Sequence, residues 1–198
     1  MTGPRAVQSF GSTAALLVGL WLVFAGACTA AAIANPTQDL RHPAIILSAW
    51  YAFGAWYAAC VLMLRLAPAD WVKLTPRLRI ARLCWTLGLA MHVLHVLFAF
   101  GLGHGWSHAA AVEHVARTGG FGWGIVVNYA FAAVWLADVI WWWAKPAGYA
   151  ARSRRAGRGV HCFLVFVTFN ATVVFGPETT RLACGILFAA LAVQVKKS

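Results

Sequence analysis

A chain of 198 residues with 62% hydrophobic and 11% charged residues lies far from the soluble norm of about 25% charged. Apolar runs, each close to the roughly 20 residues that cross about 30 Å of hydrocarbon, fill most of its length and exclude a folded soluble domain. The formal charge of +11 does not imply a nucleic-acid partner, because the cations lie in short loops between apolar runs, where they set membrane topology.

In chain order, the first span is predicted over 13–34 (TAALLVGLWLVFAGACTAAAIA), where Ala and Gly suit close helix packing in lipid. Ala32-Ile33-Ala34 before Asn35 imitates a signal-cleavage site, and Ala25–Cys28 weakly imitates a lipobox. The run is longer than the roughly 7–15 residues of a signal-peptide core, so a retained span is expected. The second span covers 44–66. At its end and beyond it, Arg65, Lys73, Arg77, Arg79 and Arg82, with Pro68, Trp71 and Pro76, read as a strap on an anionic inner surface. The third, 83–103, holds His92 and His95. Gly101, Gly103 and Gly105 should end it, and Ser107 should cap a short helix bearing His108, Glu113 and His114. The fourth is 121–143, closing on Trp141, Trp142 and Trp143 before Lys145, an aromatic belt with a snorkelling cation. A second basic strap (KPAGYAARSRRAGRG) leads to spans at 160–175 and 182–195.

The charges alternate across these spans. Arg5, both straps, Lys196 and Lys197 fall on one side, and only Arg41, Arg117 and Arg181 on the other, together with Asp39, Glu113 and Glu178. The positive-inside rule then puts both termini and both straps in the cytoplasm. The expected fold is an all-α polytopic integral membrane protein, residues 1–198 forming a single six-helix transmembrane bundle, and a bacterial inner or plasma membrane is its expected location. The five cysteines all lie in spans without CxxC spacing and read as reduced, small apolar residues.

Polar residues within spans usually face the bundle interior. At 1.5 Å per residue, His92 and His95 lie at about 14 and 18 Å from the inner edge, Tyr57 at about 14 Å, Asn170 at about 15 Å and Asn128 at about 20 Å. These five are expected to form one mid-membrane layer. Asn128, Phe131, Trp135, Asp138 and Trp142 follow 3–4–3–4 spacing, a stripe expected to point inward. Asp138 should be a buried charge, with Arg82 or His161 as its partner.

Three chemistries suit the histidines. His104 and His108 are spaced i, i+4, with Glu113 and His114 near in sequence. Such a nitrogen and oxygen set would suit Zn, Cu(II) or non-haem Fe, or a small ligand at the outer face. Haem b needs two opposed ligands at matching depth; His92 and His95 share a helix, and His161 is over 10 Å too shallow, which disfavours haem. A line from the outer cluster through His95 and His92 to Asp138 could carry protons, although no inverted repeat accompanies it. HExxH and GxxxxGK[ST] are absent. The leading expectation is therefore a His-rich outer-face site for a metal or small ligand. The alternatives are an accessory or assembly subunit bound to partners in a membrane complex, and a proton-coupled carrier. Lipid is the expected surroundings, with anionic lipid at the straps.

Overall fold

The computed structural model describes residues 4–72 and 75–197; Lys73 of the first strap lies outside the described residues. Among the described residues the secondary structure is entirely helical. Six helices are long and apolar enough to cross a membrane: Ala14–Ala34, Pro43–Leu64, Pro76–Gly103, Gly124–Ala144, Arg154–Val174 and Glu178–Lys196. The chain divides into two compact units, Met1–Leu62 with Leu74–Trp106, and Met63–Lys73 with Ser107–Ser198.

The first unit packs three helices: α1 (Pro4–Ala34), α2 (Pro43–Leu64) and α4 (Pro76–Phe98). Cys28, Ala52, Leu87 and Met91, one or two from each helix, form its core, and Leu17, Trp21, Phe24, Tyr51 and Leu94 pack around them. Phe24 stacks on Tyr51 with ring centroids 4.4 Å apart. α4 starts seven residues before the apolar run does. Thr75 Oγ1 accepts from the Leu78 N–H at 3.3 Å, and Pro76 occupies the first turn, where its missing donor costs nothing. Arg77, Arg79 and Arg82 therefore lie on a helix instead of a loop. At its far end α4 runs into a π-helical segment, Ala99–Gly103. The chain reverses there through Gly105 and Trp106, both at positive φ (56° and 62°), and the Trp106 N–H donates to the Phe100 carbonyl at 2.8 Å.

The second unit contains α3 (Pro68–Val72), α5 (His108–Gly119), α6 (Gly124–Ala144), α7 (Pro146–Ala150), α8 (Arg154–Phe169) and α9 (Glu178–Lys197). Two serines set two of its helix starts. As expected, Ser107 caps α5, accepting from the Ala110 N–H at 3.2 Å; Ser153 does the same for α8 through the Ala156 N–H. That second cap brings Arg154, Arg155 and Arg158 into α8, six residues ahead of the predicted start. On α6, Phe131, Trp135, Asp138 and Trp142 are buried, which is the expected stripe, but Asn128 above them is exposed.

α8 also ends in a π-helical segment, Asn170–Val174. The Phe175 N–H donates to the Asn170 carbonyl at 2.9 Å, and Arg181 Nε donates to the Gly176 carbonyl at 2.6 Å. A Cβ on Gly176 would collide with the Thr172 carbonyl, so this turn into α9 admits no side chain there. Gly176→Ala should destabilise the protein by about 1–3 kcal/mol, as overpacking against fixed backbone does, read as a lower Tm in detergent. An unchanged Tm would show that the turn relaxes freely.

Candidate ligand pocket and buried ion pair

Two histidines of the first unit, His42 and His95, make fixed backbone contacts. His42, 1% exposed, accepts from the Ala44 N–H through Nδ1 at 3.1 Å, so its proton is on Nε2, which donates to the Asn35 carbonyl. Both nitrogens thus hold the turn between α1 and α2. On α4, His95 Nδ1 donates to the Ile45 carbonyl at 3.1 Å, with Ser48 Oγ 3.5 Å from the same nitrogen. His92 lies on the same face of α4, its ring centroid 6.3 Å from that of His95. Ser48, fully buried, is a partner that the sequence reading did not name. Of the other expected layer members, Tyr57 stacks on Phe53 at 6.1 Å. Asn170 turns back on its own helix, its Nδ2 donating to the Phe166 carbonyl at 2.7 Å.

His104 and His108 do not share a helical turn. The π segment ends at Gly103, His104 follows it in the reversal, and α5 begins at His108. Glu113 pairs with Arg117 at 3.2 Å, both about two-thirds exposed, a contact worth little. His114 is half-buried one residue on. Among the described residues no three His, Cys, Asp or Glu side chains gather to hold a metal ion.

His108 has a different neighbour. Its Nδ1 shares a 2.9 Å hydrogen bond with the Tyr129 hydroxyl, and the two rings lie 6.0 Å apart at 17°. The pair lines a cavity of about 430 Å³ between α5 and the start of α6, walled by Val112, Trp123, Ile125 and Val126. Small residues make that approach possible. A Cβ on Gly124 would stand 2.8 Å from Val115, and one on Gly122 would stand 3.0 Å from Val112. The volume lies within the roughly 300–1,000 Å³ range of ligand sites, and apolar walls with a few polar groups are their usual chemistry.

A second polar cluster lies at the other end of α6. Asp138, 4% exposed, accepts from Arg152 Nη1 through Oδ1 at 2.7 Å and from the Tyr149 hydroxyl through Oδ2 at 2.8 Å. Arg152 comes from the turn before α8, and the sequence reading did not select it. Arg82 lies in the other unit, buried on α4. Arg152 Nη2 also lies 3.2 Å from His161 Nε2. A guanidinium only donates, so that imidazole is neutral and carries its proton on Nδ1. The Tyr149 ring is enclosed by Arg152 on one face at 3.8 Å and by Trp142, stacked at 4.7 Å and 3°. Trp71 of α3 packs against both Trp142 and Tyr149. Burial first, and then the Asp138 carboxylate, push the Tyr149 phenol well above its usual range.

Asp138→Asn should cost about 3–5 kcal/mol, because it leaves the buried Arg152 cation uncompensated. The double variant Asp138→Asn/Arg152→Met should recover much of that loss in a double-mutant cycle, and simple additivity would show that the two are not coupled. Tyr149 bears on alkaline stability. Its phenol ionises in the unfolded chain near pH 10 but only at higher pH in the folded one, so the stability it contributes is intact below about pH 10 and falls above it. Tyr149→Phe should flatten the decline of Tm above that pH; an identical alkaline limb would remove Tyr149 as its cause.

Comparison with protein-family models, with curated proteins and with solved structures finds no match for this chain.

Proposed function

We propose that this multi-pass membrane protein binds a small amphipathic organic ligand in the cavity between α5 and α6. The observation that carries this reading is the hydrogen-bonded His108–Tyr129 pair on the wall of an otherwise apolar space of about 430 Å³. The pair can donate to or accept from a polar head, while Val112, Ile125, Val126 and Trp123 cover an apolar body. Trp123 is 80% exposed and Tyr129 47%. Both are at the start of a membrane-competent helix, so a lipid-dissolved ligand can enter sideways. The charge asymmetry of the loops supports an outward-facing mouth, with both termini and the basic segments on the cytoplasmic side. A metal is the weaker reading of the same histidines. Tyr129 engages His108 Nδ1, Arg117 engages Glu113, and His104 is off the α5 helix.

The test is to extract the detergent-purified protein with organic solvent and identify what it retains by mass spectrometry, with elemental analysis of the same sample. One organic species near stoichiometry is expected in the wild type. It should be depleted about tenfold in His108→Ala/Tyr129→Phe, the loss of roughly one charge-assisted or two neutral hydrogen bonds. Gly124→Val should deplete it too, by pushing α5 off α6. Equal recovery from all three proteins would refute the pocket. Stoichiometric zinc, copper or iron that disappears with His108→Ala would put the metal reading first.

A further inference from the structure

The stretch from Lys145 to Arg158 carries Lys145, Arg152, Arg154, Arg155 and Arg158 and no acid. It lines a smaller cavity of about 180 Å³, walled by Trp71, Tyr149, Arg152, Ser153, Arg154 and Gly157. That volume is below the roughly 300 Å³ at which whole organic ligands are accommodated, so it suits a compact head group whose remainder lies outside. The chemistry of the walls is specific. Arg154 is exposed, whereas the Arg152 side chain is only 11% exposed and held in place. Asp138 and His161 take two of its five N–H donors, and its Cζ lies over the Tyr149 ring. A guanidinium fixed in this way presents its other donors with little entropy left to lose, the arrangement that favours bidentate recognition of phosphate oxygens. Trp71 and Tyr149 supply an apolar wall beside it.

Gly157 keeps this arrangement open. A Cβ there would stand 3.1 Å from Arg152 Nε and 3.5 Å from Cζ, and Arg152 cannot retreat without leaving Asp138, His161 or the Tyr149 face. A methyl group at 157 would thus disturb the cation without altering any charge.

We propose that this cavity binds a phosphate group, with Arg152 and Arg154 clasping its oxygens and Trp71 covering the adjoining stem. The group can belong to an anionic phospholipid at the membrane surface or to a free phosphate compound. This site is separate from the His108–Tyr129 cavity, and the two stand or fall independently.

The experiment follows Tm of the full-length protein in mixed micelles containing phosphatidic acid or phosphatidylcholine, and in inorganic phosphate without added lipid. Phosphatidic acid should raise the wild-type Tm in a concentration-dependent way, as a ligand of the folded state does, and phosphatidylcholine should not. Arg154→Gln should weaken the apparent affinity about tenfold, the effect of losing one charge-assisted hydrogen bond. Gly157→Ala should weaken it comparably. Arg158→Gln, which removes the same charge from outside the cavity, should change it less than threefold. The same pattern with inorganic phosphate would keep the site and identify a free phosphate compound as its ligand. No Tm shift with either probe, or equal losses in Arg154→Gln and Arg158→Gln, would overturn the proposal. The latter result would reduce the effect to diffuse attraction between a basic surface and an anionic one.

Discussion

A carboxylate on a helix that is otherwise built for hydrocarbon is the constraint around which the second unit is arranged. Left alone, Asp138 would cost α6 several kcal/mol in an apolar medium. Its neutralisation requires a cation and a hydroxyl to come inward, and Arg152 and Tyr149 do so. Everything between them serves that reach. Pro146 opens a one-turn helix, α7, which presents Tyr149 to Trp142. The chain then turns at Ala151 and Arg152, and Ser153 starts α8. Asp138 and Tyr149 are almost wholly buried beside Trp142, and low local dielectric strengthens an ion pair. Burial, stacking and charge pairing thus work on one group of side chains rather than on separate parts of the unit.

The His108–Tyr129 cavity has a different origin. It results from the short amphipathic helix α5 lying against a longer one, at glycines that let the two approach. Val112 and Val115 stand beside Gly122 and Gly124, while Glu113 and Arg117 are exposed. No Asp, Glu, Lys or Arg lines the cavity, so its recognition chemistry is hydrogen bonding and apolar contact. The cavity beside Arg152 has the opposite character, with two guanidiniums and two aromatic rings.

Much of the architecture was legible because hydropathy reports directly on what a bilayer tolerates. Six apolar helices, the Ser107 cap and the inward stripe from Phe131 to Trp142 all follow from residue type and spacing. Helix starts were less legible at Thr75 and Ser153. There a cap and polar first turns extend a helix well before its apolar run, and a hydropathy window cannot detect them. The polar partners were the least legible. Depth counting grouped His92, His95, Asn128, Asn170 and Tyr57 by height alone. Height says nothing of direction, so it could not tell that Asn128 is exposed or that Asn170 bonds its own helix. Arg152 was missed for a related reason. It sits among four other cations in a loop, and only the fold of α7 distinguishes the one that turns inward. The π segment and the Gly105–Trp106 reversal also defeat the i, i+4 argument at His104 and His108, which assumes an unbroken helix.

The pairing of Asp138 with Arg152 has a consequence for the order in which the chain is made. The two residues are 14 positions apart, with the cation the later one, so Asp138 emerges from the ribosome while Arg152 is still within it. Placed in the middle of a translocating helix, an aspartate opposes lateral release into lipid by about 2.5–3.5 kcal/mol. Asp138 stands near the trailing end of α6, where that opposition is weaker and where Arg152 follows within a short length of nascent chain. For a helix that enters a bilayer, the carboxylate would thus be neutralised only once the segment through Ser153 has emerged. A chain truncated between Ala144 and Arg152 and released from the ribosome would carry α6 without its counter-ion.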